Sequence, residues 1–367
     1  MEPKTLVNKD LENKVKFVSE GDWDFLCTDE EDEAEAIPEP KRKESMKERE
    51  VRREERRKAN LKKFGSDYQA LLASKFRRDW DFVWSHSYGS FEDTNELSNT
   101  RIPPMRYTDK PAPEYRATTL HTLQIFSVKV AVIKGGLQWP LDVFGLVAIR
   151  DNVDHNRNII FNRTRDNCQT LTEEDRNLVL VGPSRAVVVT IPHPVIIEVN
   201  LKVKGATESE DEDLSFLASS TLEVALGSIV SSVEATVFAR VISGAWPNGF
   251  HGQFAVFAAC TCDENAESTD YKEIVLLYSR GQQVFVTDDG MVQLSRRVVS
   301  VESSGKLKVS VKAWRPDNSS VMNREKVFTP LKRGLSDWTF LIGSCKMEVS
   351  VAWSLISSEP VRANSVL

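Results

Sequence analysis

The sequence predicts an all-β protein: a large antiparallel β-sandwich of about ten to twelve strands behind a charged tail and a short amphipathic helix. Three observations predict it. Apolar residues alternate with period two in run after run from residue 120 to near the C-terminus. Gly, Pro, Asn and Asp punctuate those runs. Helical periodicity is confined to one stretch before residue 90. Strict alternation means one buried and one wet face, the pattern of antiparallel sheets.

Residues 1–65 read as a disordered tail or a single solvated helix. Apolar residues are sparse, and an acidic run, Asp29-Glu30-Glu31-Asp32-Glu33, precedes a basic one. The segment 41–63 holds twelve Lys and Arg against five Glu, a local charge of +7 that leaves −13 for the rest of a chain of net charge −6. Met46, Val51 and Leu61 do not form a heptad stripe, so a coiled coil is not expected.

Residues 66–118 read as a short helix and a Pro-rich linker. Ser66-Asp67-Tyr68-Gln69 has the form of a capping box. Tyr68, Leu71, Leu72, Phe76 and Trp80 follow at helical spacing, predicting an amphipathic helix over 67–80 that needs a surface to lie on. Residues 89–113 are turn-rich, with Pro103, Pro104, Pro111 and Pro113.

Residues 119–357 carry the strands. Phe126, Val128, Val130 and Val132 are expected to share one face. Val195, Ile197, Val199, Leu201 and Val203 oppose Glu198, Asn200, Lys202 and Lys204, which are placed on a wet face. The pattern repeats at 233–241, 307–313 and 347–353. Further strands are expected at 143–149, 158–161, 178–189, 253–259, 273–278 and 293–301. One sandwich is the first expectation, with a break at the acidic stretch 205–220 as the alternative. Residues 358–367 form a C-terminal tail.

The stretch Gly145-Leu-Val-Ala-Ile-Arg150-Asp151, with Asp154, Arg157-Asn158, Phe161-Asn162-Arg163, Arg165-Asp166 and Cys168-Gln169, resembles a plant family expanded in grasses and catalogued as domain of unknown function 6598. Gly182-Pro183-Ser184-Arg185 and the run from Glu198 to Gly205 continue the likeness, which covers roughly residues 119–357. The resemblance implies an all-β domain and supplies no catalytic residues. Some members join this domain to a ribosome-inactivating N-glycosidase domain, which implies a stress or defence setting. Here a charged tail and short helix precede it.

No apolar run reaches the ~18 residues of a membrane helix, and the N-terminus does not read as a secretory signal. Five scattered cysteines suit a reducing compartment. The expectation is an intracellular protein of the cytoplasm or nucleus. No cofactor or metal is implied. Cys260 and Cys262 supply two of the four ligands that zinc needs. Asp151, Asp154, Asp288 and Asp289 would suit Ca²⁺ at a sandwich end, but match no known loop motif. Glu234 and Arg240, the nearest echo of an N-glycosidase pair, stand six residues apart, about 20 Å on a strand.

Two segments remain as interaction candidates. Arg150, Asp151, Asp154, Arg157, Asn158, Arg163, Arg165 and Asp166 form a dense polar set, either a ligand site for an anion or carbohydrate or the charged lacing of a sandwich end. Lys41, Arg42, Lys43, Arg52, Arg53, Arg56, Arg57 and Lys58 would serve nuclear import or nucleic-acid contact. Asp22-Trp23-Asp24-Phe25 and Asp79-Trp80-Asp81-Phe82 repeat an acidic-aromatic tetrapeptide, read as packing on the β region or as docking motifs. The sequence therefore points to a non-enzymatic binding or assembly module with a protein partner. An accessory domain of an N-glycosidase system, a cryptic hydrolase and a nucleic-acid-associated protein are the alternatives.

Overall fold

The computed structural model describes residues 15–19, 74–91, 102–113, 115–133, 136–190, 193, 195–214, 221–259, 272–317 and 319–359. The basic segment 41–63, the capping box at Ser66, the first tetrapeptide at Asp22, and Cys260 and Cys262 lie outside them.

Among the described residues one α-helix, α1, covers 74–88. The strands in chain order are β1 (Val15–Ser19), β2 (Ala117–Thr118), β3 (Leu120–Val132), β4 (Leu141–Arg150), β5 (Asn158–Arg163), β6 (Gln169–Leu171), β7 (Val187–Val188), β8 (Val195–Val203) and β9 (Glu212–Asp213). The second half adds β10 (Thr221–Ser243), β11 (His251–Ala259), β12 (Glu273–Tyr278), β13 (Val298–Glu302), β14 (Lys306–Trp314), β15 (Val321–Phe328), β16 (Arg333–Ile342), β17 (Cys345–Ser354) and β18 (Ile356–Ser357). All pairings between these strands are antiparallel except β1 on β8. Eleven strands have six or more residues, in line with the expected number.

Three sheets make the body. The first runs β1-β8-β4-β5, with β6 on β4 and β9 on β8. The central sheet runs β16-β17-β10-β3-β7, with β13 also on β10. The third runs β12-β11-β14-β15. Two hydrophobic cores result. One gathers Leu123, Val143, Phe161, Ile197 and Leu201, all at or below 1% exposure. The other gathers Val237, Val256, Val311, Met347 and Trp353, equally buried. The 23-residue β10 serves both: Leu222, Val224 and Leu226 pack on the first core, while Val233, Ala235 and Val237 belong to the second. In sequence the changeover falls within β10, between Leu226 and Val233, while Leu214 and Leu222, within and after the acidic stretch, both pack on the first core.

The alternation at β14 and β17 is buried as expected. Elsewhere the structure corrects it. In β3 the register with β10 shifts beside Phe126, so Leu123 and Ile125 join Val128 and Val130 in one core, and Phe126 packs on the other. Such a bulge flips the side-chain parity that a period of two assumes. Glu198 is buried at 6% exposure, because α1 covers the outer face of β8. Of 178–189, only Val187–Val188 is a strand; Leu178, Leu180 and Ala186 are buried in irregular chain around Gly182-Pro183. β15, β16 and β1 were not expected. β15 and β16 are edge strands whose sequences, VMNREKVF and RGLSDWTFLI, carry polar residues on both faces.

The helix also runs further than expected, from 74 through 88 where the reading ended it at Trp80. Trp84 and Tyr88 continue its packing face. Gly89 takes φ +87° and donates its N–H to the Ser85 carbonyl at 2.9 Å, a left-handed C-terminal cap. Among the described residues no helix is long and apolar enough to cross a membrane.

Candidate functional site

The polar set reads as one cluster in sequence, but the fold divides it. Arg150, Asp151, Asp154, Arg157 and Asn158 lie together at the end where β4 passes into β5, each at most 7% exposed. Arg163, Arg165 and Asp166 sit at the far end of β5, about 17 Å away at 3.3 Å per residue. There Arg165 pairs with Asp211 at 2.9 Å and donates to the Gly205 carbonyl. That hydrogen bond holds the Asp211 carboxyl below its usual range. Asp166 is exposed in the 3-10 turn Arg165–Asn167. The six-residue β5 separates the two ends, so sequence proximity overstated their contact.

Within the buried group Asp151 anchors a turn. Its Oδ1 accepts the N–H groups of Val153 (3.1 Å) and Asp154 (3.0 Å), and its Oδ2 accepts that of Val188 (2.8 Å). Arg185 completes it with two bonds, at 2.7 and 2.9 Å. Burial works against the Arg185 charge, but Asp151 outweighs it and holds the guanidinium above its ordinary pKa. Asn158 accepts from the Ser184 N–H and donates to the Arg185 carbonyl. Asp154 accepts the Asn156 N–H. These are local side-chain bonds that satisfy an irregular backbone.

Beside it stands a buried Arg–Glu–Arg triad that sequence reasoning did not assemble. Glu198 accepts from Arg157 Nε at 2.9 Å and from Arg150 at 3.3 and 3.4 Å, and a second Arg157 nitrogen bonds its other oxygen. Burial pushes the Glu198 carboxyl up, but Arg150 and Arg157 pull harder and leave it below its ordinary value. Burial lowers Arg150 to about 10, still protonated at neutral pH.

Helix α1 and the segment after it roof the triad. Arg150 lies 4.2 Å from the Phe91 ring centroid and 5.2 Å from that of Trp80, and Arg157 lies 5.1 Å from that of Phe91. Trp80 donates to the His155 carbonyl at 3.2 Å, and Trp84 stacks on the His155 ring at 3.7 Å. In the second tetrapeptide Trp80 is thus packed at 2% exposure, while Phe82 stands 88% exposed. The signal for the roof was the amphipathic helix itself, which required a surface.

Glu234, read as part of a polar outer face, is buried on β10. It accepts the N–H of Met105 at 2.9 Å and of Ala186 at 2.8 Å, tying two irregular segments to the strand. Burial raises its pKa above the ordinary 4.5. The folded state therefore holds the proton more tightly, and the stability this group contributes falls as pH rises from 4.5 through the folded value. The loss caused by Glu234→Gln is accordingly expected to shrink from about pH 5 to about pH 8. Urea midpoints of both proteins at each pH check the sign, and a loss that grows with pH would contradict it. Arg240, six residues on, is exposed and donates to the Asp289 carbonyl. Asp289 and Asp288 therefore lie about 20 Å along β10 from Glu234, which adjoins the Asp151–Arg185 group. The four aspartates do not share one end. Residues 240–246 and 283–290 line an open cleft of about 750 Å³.

A second arrangement has no counterpart in the sequence reading. The outer face of the β12-β11-β14-β15 sheet carries rings and lysines in register. His251 pairs with Trp314, Gln253 with Lys312 and Tyr278, and Phe257 with Lys308. Tyr278 and Trp314 rings lie 5.9 Å apart at 17°. Lys308 sits 4.4 Å over Phe257, and Lys312 5.6 Å from the Trp314 ring. The opposite face of the same strands fills the second core with Phe254, Val256, Leu307, Val309 and Val311. Interleaved residues leave the aromatics of β11, β12 and β14 on the solvent side, where the strand register aligns them.

A mainly antiparallel body of two cores, roofed at one polar end by α1 and presenting an aromatic-lysine sheet face, defines the class. The chain belongs to the family described as Domain of unknown function (DUF6598), whose model matches residues 122–351. No curated protein matches it. Among solved structures, human GIVD cytosolic phospholipase A2 aligns over 65% of this chain and 31% of its own, with 7% identity and a TM-score of 0.20. The chain thus spans about a third of that protein, and at that score the likeness carries no argument for fold or activity.

Proposed function

We propose that this protein is a non-enzymatic binding module acting inside the cell, in the stress or defence setting that its family resemblance implies. The observation that supports it is the ring-and-lysine lattice on the outer face of the β12-β11-β14-β15 sheet. Large apolar side chains on a solvent face cost free energy unless a partner covers them. Tyr278 is 46% exposed, and Val321 and Val327 on the neighbouring β15 are 52% and 50% exposed. By contrast, the polar group around Arg150 makes its bonds internally under α1. Its arginines serve to hold the helix.

The test is a pair of surface changes, Tyr278→Ala with Lys312→Ala, in the full chain. Partners captured by the native protein are expected to be lost from the variant, while circular dichroism and the melting temperature stay unchanged. Retention of the same partners would remove this face as the binding site.

A further inference from the structure

We infer that this sheet face binds single-stranded nucleic acid. The inference rests on the binding-face reading above and names its ligand. Proteins that hold single strands combine aromatic platforms, on which bases stack, with cations that track the phosphates. Both are present, and the strand register fixes them on one surface.

Tyr278 and Trp314 supply the platform. They lie on β12 and β14, with Gln253 of the intervening strand between them, and their rings are nearly parallel. The two rings stack on each other, and the outer face of the half-exposed Tyr278 ring is the surface left for a base, as aromatic side chains provide in sheet-based RNA readers. Phe257 lies towards the other end of the face, beside Lys308.

Lysines supply the track. Lys306, Lys308 and Lys312 all stand on the central strand β14 at alternate-parity positions, so they share the ring-bearing face. From Lys308 to Trp314 the face runs about 20 Å. The acids of this face, Glu273 and Glu325, stand on the outer strands β12 and β15. Each is already engaged, Glu273 by Gln253 and Glu325 by Lys308 at 3.6 Å. The central line is therefore cationic, which favours a phosphate backbone over a neutral chain such as an oligosaccharide. The basic segment 41–63 is a separate feature of the sequence, and the test must separate its contribution.

The experiment is fluorescence anisotropy of the full chain with a labelled oligouridylate of about twelve nucleotides, and with oligothymidylate of the same length. In both arms Arg52, Arg53, Arg56 and Arg57 are changed to Gln, which lowers the charge of segment 41–63 from +7 to +3 and so cuts the tail's share of the signal. Binding is expected to persist in that background. Its logarithm should fall with log salt at a slope of about −1.4, from about −0.7 for each of Lys306 and Lys312, with Lys308 held by Glu325. Tyr278→Ala, which alters a half-exposed ring, is expected to weaken binding about tenfold. Lys306→Ala with Lys312→Ala should flatten the slope by about 1.4. Tighter binding of the uridylate would point to RNA, and equal binding to either strand type; both support the inference.

Binding that vanishes with the four arginine changes, or that is indifferent to Tyr278→Ala and the lysine pair, would overturn it. So would failure of both oligonucleotides to bind. In that last case the partner-capture comparison decides separately: loss of partners from the face variant keeps the binding face and removes only its nucleic-acid ligand, whereas unchanged partners remove both.

Discussion

Glu198→Ala is expected to lower the free energy of unfolding by about 3–5 kcal/mol, the range for removing one partner of a buried ion group. The side chain is 8% exposed, and it bonds both Arg150 and Arg157, themselves 4% and 8% exposed. Without it, two guanidinium groups face each other beneath Phe91 and Trp80 with no carboxylate between them. Glu198→Gln keeps an acceptor for one arginine and should lose less. Replacing all three residues together by Leu, Met and Leu should recover much of the loss, because apolar residues of similar volume avoid the desolvation cost that the charges carry. Chemical denaturation of the three variants decides it. A loss below about 1 kcal/mol for Glu198→Ala would show the triad to be solvated. The pH dependence has a definite sign. The native carboxyl is held below its ordinary 4.5, so its contribution is complete above that value and is lost as pH falls through the folded value.

The same residue shows where sequence reading reached and where it stopped. Alternation placed Leu307, Val309, Val311 and Ala313 on a buried face because a strand on one core has a fixed parity. It placed Glu198 in water by the same logic, and failed because β8 is covered twice, by the first core and by α1. The unbroken run Val195-Ile196-Ile197 was the available sign, since a strand buried on both faces loses its alternation. Phe126 was misplaced for a different reason. A bulge adds one residue, and no composition rule marks where it falls. β15 and β16 were missed because edge strands need no apolar face on their open side. The polar group was legible as a set of residue types around Arg150, but its acidic partner Glu198 and its third arginine, Arg185, lie further along the chain, and only the fold brings them near. The ring-and-lysine face needed register across three strands, information that no single strand holds.

Trp80→Ala tests the roof itself, with an expected loss of about 3–5 kcal/mol for a fully buried large aromatic. Trp80 is 2% exposed, donates to the His155 carbonyl, and meets the Phe91 ring edge-on at 5.4 Å. Its removal leaves a cavity directly over Arg150 and takes one of two donors from the His155 carbonyl, Arg150 being the other. Phe82, two residues on and 88% exposed, provides the control: Phe82→Ala should change stability by no more than about 0.5 kcal/mol. The two substitutions separate packing from composition within one tetrapeptide. Hydrogen exchange then locates the effect. Because α1 is held by this seam, its amides should lose protection in Trp80→Ala before those of β10 and β17 do. Acid should act on the same seam. Burial depresses His155 to about 4, so the folded state resists its protonation, and this contribution to stability declines as pH falls from 6.5 towards 4. Loss of α1 protection over that interval, with the strands of the second core still protected, is the expected result. Simultaneous loss in α1 and β17 would instead mean that the helix and the sandwich unfold as one unit.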